Sequence, residues 1–269
     1  MHVSSDRFLE FSRLSKSFPV PGAADTVIVE DFDLRIAEGE FVCLVGHSGC
    51  GKSTVLSIAM GLLTPSSGGV ILGGREIDGP GLDRGVVFQS PALLPWFTAR
   101  QNVELAIEQT HPDAPAAEQR RLAEAALARV GLADAVDRRP AELSAGMQQR
   151  VGIARAFALT PSVLLLDEPF SLLDVFTRID LQDELLRLWE TDRRTVVMVT
   201  HDVDEALLLA DRIVMMTKGP RARIGDSIVV PFDRPRARAE VLDDPRYYPL
   251  RERLLDFLAA QDSCVGGGH

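Results

Sequence analysis

A junction between strand and helix that is almost bare of side chains constrains this chain more than any other feature. Leu44–Leu56 reads LVGHSGCGKSTVL, with three glycines, one lysine and neighbouring hydroxyls. Phe41-Val42-Cys43-Leu44-Val45 before it has the continuous apolar character of a buried strand, and Thr54-Val55-Leu56-Ser57-Ile58-Ala59-Met60 after it reads as the start of a helix. In that context Gly46, Gly51, Lys52 and Ser53 satisfy the pattern G-x-x-x-x-G-K-[ST]. Glycines let successive backbone N–H groups converge on an anion, and the helix N-terminus adds partial positive charge. The expected occupant is a nucleoside triphosphate, with Gly46, His47, Ser48, Gly49, Cys50, Gly51, Lys52, Ser53 and Thr54 around its phosphates. Lys52 is expected to reach the outer phosphates and Ser53 to place its hydroxyl on Mg²⁺. The plainer alternative is a glycine-rich turn with a solvated lysine, and the flanking strand and helix argue against it.

A phosphate loop alone does not separate a kinase from a GTPase or a motor, so a second metal-binding element decides more. Val163-Leu164-Leu165-Leu166-Asp167-Glu168-Pro169 reads as a fully buried parallel strand that ends in two acids. Asp167 is placed to hold Mg²⁺, directly or through water, and Glu168 to polarise an attacking water. Neighbouring residues on a strand point to opposite sides, so the two acids are expected to take different roles.

Composition excludes several other classes. A formal net charge of −10 without a long basic block disfavours non-specific nucleic-acid binding. Cys43, Cys50 and Cys264 lack metal-ligand spacing, which fits a reduced compartment. The opening MHVSSDRFLEFSRLSKSF has no continuous apolar segment of the kind that targets secretion, and no run of about 18 apolar residues occurs. Work at a membrane would therefore require a partner that crosses it.

Between the two motifs, Leu143-Ser144-Ala145-Gly146-Met147-Gln148-Gln149-Arg150 leads into the helical Val151–Leu159. Here the chain resembles the ATP-binding subunits of ABC transporters, whose signature reads Leu-Ser-Gly-Gly-Gln, and the resemblance covers nearly the whole sequence. It implies that Phe18 stacks on adenine, that Gln89 after Gly85-Val86-Val87-Phe88 is the glutamine loop and contacts the metal, and that His201 after Thr195–Thr200 is the switch histidine. Gln89 and His201 would sense the γ-phosphate. Ser171-Leu172-Leu173-Asp174 matches the loop after the second acid, with Asp174 near the nucleotide. Ser144 and Gly146 precede a helix and can offer a hydroxyl and an N–H to an anion; in the family they meet the ATP held by a second subunit. The resemblance therefore implies a two-fold, head-to-tail dimer, with an identical or a different second cassette, that buries two nucleotides. Ala145 replaces the first signature glycine, Met147 a glutamine and Phe18 a tyrosine. The alanine adds a Cβ near the phosphates, and hydrolysis is expected to survive at a lower rate.

The implied fold is α/β: a P-loop NTPase core, residues 1–89 and 162–231, with an antiparallel β portion and an inserted α-helical signature subdomain at 90–161. A C-terminal tail covers 232–269. Leu181, Leu185 and Leu188 share one helix face, and Glu118–Val130 carries Leu122, Ala126, Leu127 and Val130 on a stripe. Ser90–Thr98 is apolar and aromatic, which suits local core packing or a groove for a helix of another protein. In the family this surface receives the membrane-spanning permease, placing the subunit peripherally on the cytoplasmic face of the membrane.

Gly81–Gln89 followed by Leu93-Leu94-Pro95-Trp96 is similar to importer subunits for nitrate, sulfonate, taurine and related anions. The tail, Asp233–Glu240 and Asp244–Arg251, resembles the nitrate, nitrite and cyanate type most; bicarbonate remains an alternative. In such importers a separate solute-binding protein meets the anion, so no pocket here selects it. A soluble ABC-type ATPase without a permease is the reading from another class. The tail's arginines suit either an anion sensor or a basic solvated helix, Cys264 and Gly266–His269 read as a flexible end, and Cys50 beside Lys52 suits either a small packing residue or an oxidisable thiol.

Overall fold

The structure, a computed structural model, describes residues 7–263, so Cys264 and the closing glycines lie outside the described residues. Contacts divide the chain into two compact units, Met1–Pro80 with Thr195–His269 and Gly81–Arg194.

In the first unit, β1 (Leu9–Phe18), β2 (Thr26–Ile36), β4 (Ser67–Leu72) and β5 (Arg75–Glu76) form an antiparallel sheet in the order β2-β1-β4-β5. Alternation sets its inner face: Phe32, Leu34 and Ile36 are buried while Asp31, Asp33 and Arg35 are exposed. The same unit holds β3 (Phe41–Val45), paired in parallel with both β8 (Thr195–Thr200) and β9 (Arg212–Met216), and β10 (Ile224–Val229), antiparallel to β9. Every residue of β3 and β8 is buried, as a central parallel strand covered on both faces requires. Val45 pairs with Thr200, so Gly46 and His201 leave neighbouring strands at the same carboxyl-terminal edge. Open α/β sheets bind ligands at that edge. α1 (Lys52–Ala59) follows the phosphate loop, and α6 (Val203–Leu209), α7 (Arg238–Asp243) and α8 (Tyr247–Ser263) complete the unit.

In the second unit, β6 (Arg84–Val87) pairs in parallel with β7 (Val163–Asp167), with Val87 opposite Leu166. Gln89 and Asp167–Glu168 therefore emerge at one strand edge. α2 (Ala99–Thr110), α3 (Ala116–Arg129) and α5 (Val175–Thr191) surround α4 (Ala145–Ala158) or pack beside it. A reciprocal cap starts α2: Thr98 accepts from the Gln101 backbone and Gln101 accepts from the Thr98 N–H. Leu181, Leu185 and Leu188 are buried along α5, and buried Trp189 donates to the Arg194 carbonyl at 2.6 Å.

One expectation needs revision. On α3, Leu127 and Val130 are buried as expected, but Leu122 and Ala126 are only half-buried and Ala123 is buried instead. Leu122 and Ala126 line an open cavity of about 260 Å³ with Phe157 and Leu188, so the stripe faces that opening.

Candidate nucleotide site

The phosphate loop is built so that its backbone can close on an anion. Gly51 caps α1 with φ +98°, and a Cβ there would lie 2.6 Å from Val29 Cγ2. Only glycine meets both the dihedral and the space. Gly49, at φ +78°, has open space where a Cβ would be. Lys52 is 4% exposed, and its Nζ donates to the carbonyls of Gly46 at 2.7 Å and His47 at 2.9 Å. The ammonium is thus held across the loop by two carbonyls, and Ser53, next on α1, is exposed. His47 turns its ring away, with Nε2 2.8 Å from the Leu258 carbonyl on α8. A carbonyl only accepts, so Nε2 carries the proton.

Cys50 is buried, and burial pushes its thiol above the ordinary value despite the opposing charge of Lys52. A thiol kept protonated and out of solvent reacts poorly with oxidants. The oxidisable reading of Cys50 is withdrawn, and its small size against Gly46 is its role: Sγ would lie 2.9 Å from a Cβ at that position.

At the edge of β7 the two acids differ for a reason other than strand alternation. Asp167 is the last strand residue, whereas Glu168 leaves the strand with φ +44°. That left-handed conformation costs a non-glycine residue on the order of 1–3 kcal/mol and persists only where its surroundings enforce it. Ser171 supplies the enforcement, donating to the Glu168 carbonyl from its backbone N at 3.2 Å and from its Oγ at 3.0 Å. Gln89 Nε2 in turn donates to Ser171 Oγ at 3.0 Å. Gln89, Ser171 and Glu168 therefore form one hydrogen-bonded chain, and Ser171, quoted in the sequence for its loop alone, is the middle of it. His201 and Phe18 are both exposed at strand ends, with Lys16 Nζ 5.0 Å from the Phe18 ring centre.

The signature lies at the start of α4. Ser144 is its N-cap and accepts from the Met147 N–H at 3.3 Å, while Ala145 is exposed in the first turn. Gly146 is buried, and a Cβ on it would fall 2.3 Å from Thr177 Cγ2 of α5. Gly146→Ala is accordingly expected to destabilise the fold by about 1–3 kcal/mol, read as a lower thermal midpoint; adding Thr177→Ser, which removes that methyl, is expected to restore most of it. Asp174 caps α5, accepting from the Thr177 N–H at 3.1 Å, and these hydrogen bonds hold its carboxyl below the usual range. Helix capping accounts for Asp174 without a nucleotide.

Three residues that sequence reasoning passed over hold the segment around Gln89. Asn102 is fully buried, accepts from the Leu94 N–H at 2.8 Å and donates to the carbonyls of Leu94, Phe97 and Thr98. From α4, Gln149 donates to the Phe88 carbonyl at 3.1 Å and Arg155 to those of Pro91 and Ala92 at 2.9 and 3.1 Å. The only sequence signal was a polar residue on an apolar helix face, between Ala99 and Ala106. Trp96, at the tip of this pinned segment, is 63% exposed and stacks edge to face with Phe97.

A family model described as ABC transporter matches residues 29–171, more than half of the chain. The chain belongs to the ABC transporter family. Among curated ABC relatives, the nitrate import ATP-binding protein NrtD of Synechococcus elongatus is 53% identical over 251 residues, covering 93% of this chain and 91% of that one. The bicarbonate transport ATP-binding protein CmpD of Synechocystis sp. is 52% identical over 251 residues, covering 93% of this chain and 89% of that one. A solved ATP-binding cassette, dimeric and bound to ADP and Pi in a post-hydrolysis state, superposes with a TM-score of 0.74 at 32% identity, covering 84% of this chain and all of the other. The mixed α/β fold is that of an ABC cassette.

Proposed function

We propose that this chain is the ATP-hydrolysing subunit of an ABC importer for a small inorganic anion, nitrate or nitrite, and that two cassettes close head to tail around two ATP molecules. The observation that carries the ATPase reading is Lys52, buried across a glycine-rich loop at the edge of parallel strands, beside the strand end that releases His201. The loop amides and Lys52 bind the phosphates. Glu168, fixed in its left-handed conformation, polarises the attacking water, and Gln89 and His201 respond to the γ-phosphate. Ser144 and Gly146 act on the nucleotide of the second cassette, and Phe18 stacks on adenine.

Mg²⁺ fits this residue set. It binds through one or two protein oxygens together with substrate phosphates, so a cage of three acids is not needed, and among the described residues no group of three or more His, Cys, Asp or Glu side chains forms one. Ser53, Asp167 and Gln89 are the residues proposed to hold it, where it neutralises charge on the phosphates.

No helix among the described residues is long and apolar enough to cross a membrane, so the reading requires permease subunits, with this chain peripheral on the cytoplasmic side. The segment pinned by Asn102, Gln149 and Arg155, with Trp96 at its tip, is the surface proposed to receive the permease. The solute is the finer part of the reading. Relatives named for nitrate and for bicarbonate stand at 53% and 52% identity, so bicarbonate is the competing solute. Arg234 is held by Asp211 and the Leu209 carbonyl, and Arg236 is buried against the carbonyls of Phe232, Leu208 and Ala210, so neither belongs to a solvated basic helix.

The deciding experiment is calorimetric titration of the solute-binding protein that co-purifies with the membrane complex, using nitrate, nitrite, cyanate, bicarbonate, taurine and an alkanesulfonate. Tight nitrate or nitrite binding is expected. Exclusive binding of bicarbonate or a sulfonate would replace the solute while leaving the ATPase reading in place, and failure of this chain to co-purify with any membrane-spanning subunit would favour the soluble ATPase.

A further inference from the structure

The C-terminal helix α8 touches the phosphate loop far away in sequence, in the same compact unit. Two anchors fix its first half. Tyr247 Oη donates to Asp204 Oδ1 at 2.6 Å, and Arg251 donates to the same carboxylate at 2.6 and 3.3 Å. Burial alone would raise the Asp204 carboxyl, but these hydrogen bonds outweigh it and hold it below the usual range. Asp204 lies in the first turn of α6, whose N-cap, Asp202, directly follows His201. Arg253 adds an ion pair with Asp226 on β10.

The second half of α8 reaches the loop. Leu258 lies 11 residues beyond Tyr247, about 16 Å along a helix. Its carbonyl accepts from His47 Nε2 at 2.8 Å, and the His47 carbonyl accepts from Lys52 Nζ at 2.9 Å. Phe257 sits where a Cβ on Gly225 would meet its ring at 2.5 Å, and Gln261 accepts from the Lys218 N–H at 3.4 Å. The next glycine, Gly219, lies against the loop itself, 3.3 Å from the Gly49 carbonyl as measured from its Cβ position. Two hydrogen bonds thus separate the Leu258 carbonyl from the Lys52 ammonium.

We propose that α8 is a positioning strap for the phosphate loop: the Leu258 carbonyl orients His47, His47 orients Lys52, and ATP affinity therefore depends on the C-terminal helix. The proposal rests on the reading that residues 46–54 hold the ATP phosphates. His47 and Leu258 act through Lys52 and are positioning residues. A preorganised loop spares the ordering cost that a loose one meets on binding, so loss of the strap weakens ATP binding and leaves the chemical step alone.

Three full-length variants test it. His47→Phe removes the donor, His47→Gln keeps an N–H within reach, and Leu258→Pro kinks α8, since its ring collides with the Leu254 carbonyl four residues earlier, and so carries the Leu258 carbonyl away from His47. The strap is worth one neutral hydrogen bond. His47→Phe and Leu258→Pro are each expected to raise KM for ATP about two- to tenfold, a larger change than either makes in kcat; the double variant is expected to match the larger single effect, and His47→Gln to recover most of what His47→Phe loses. A wild-type KM in folded His47→Phe or Leu258→Pro, or effects that simply multiply in the double variant, would overturn the strap. Lys52→Ala separates the two readings: unchanged ATP binding there removes the loop as the phosphate site, whereas lost binding there with unchanged KM in the other variants removes only the strap.

Discussion

Glu168→Gln is expected to bind ATP nearly as the wild type does while turnover falls by about 10²–10⁴-fold, the contribution of a positioned general base. The substitution keeps the side chain's size and removes only its capacity to take a proton. The backbone at Glu168 is held through its carbonyl by Ser171, so a change confined to the side chain leaves φ +44° and the hydrogen bond from Gln89 to Ser171 in place. Steady-state phosphate release gives the rate, and fluorescent-nucleotide titration gives the affinity. Near-normal release would show that another group activates water. Loss of binding together with rate would instead place Glu168 among the structural residues of the strand end.

Lys52→Ala acts on the other half of the chemistry. A hydrogen bond to a charged group is worth about 1.5–3 kcal/mol, so ATP affinity is expected to fall by about 10- to 100-fold. The same ammonium serves the carbonyls of Gly46 and His47, and removing it takes a donor from each, leaving the His47 carbonyl with the Cys50 N–H at 3.2 Å. The thermal midpoint of the protein alone is therefore expected to fall as well, and the upward shift that ATP gives the wild type is expected to disappear at matched ligand concentration. Retention of that shift in Lys52→Ala would contradict the phosphate role.

What was legible in the sequence was local. The phosphate loop, the paired acids and the signature each occupy a few consecutive residues whose chemistry is set by their order, and parallel strands declared themselves as uninterrupted apolar runs. Pairings over long separations were not legible. His47 meets Leu258 across 211 residues, and nothing in the text of the loop distinguishes a histidine facing phosphate from one turned toward a helix. Arg234 and Arg236 read as solvated because arginines usually are, and only the fold reveals the carbonyls of 208–210 that receive them. Glu168 looked like one more strand residue, yet the chain has already turned out of the strand there. Gly146 fitted an anion site in sequence, and the structure adds a packing demand from Thr177 that would retain glycine on its own.

The exposed Leu172, Val175 and Phe176, at 63, 64 and 82%, flank Asp174 on the loop and first turn of α5. Apolar side chains that open to solvent beside Asp174 are a surface that the second cassette of the head-to-tail reading would cover.

Sedimentation velocity of Glu168→Gln with and without ATP tests the central claim most directly, because a variant that binds without turning over keeps the closed pair intact for the run. The account predicts the mass of one chain without nucleotide and of two with ATP. A single-chain mass at saturating ATP, alongside normal ATPase turnover by the wild type, would contradict it.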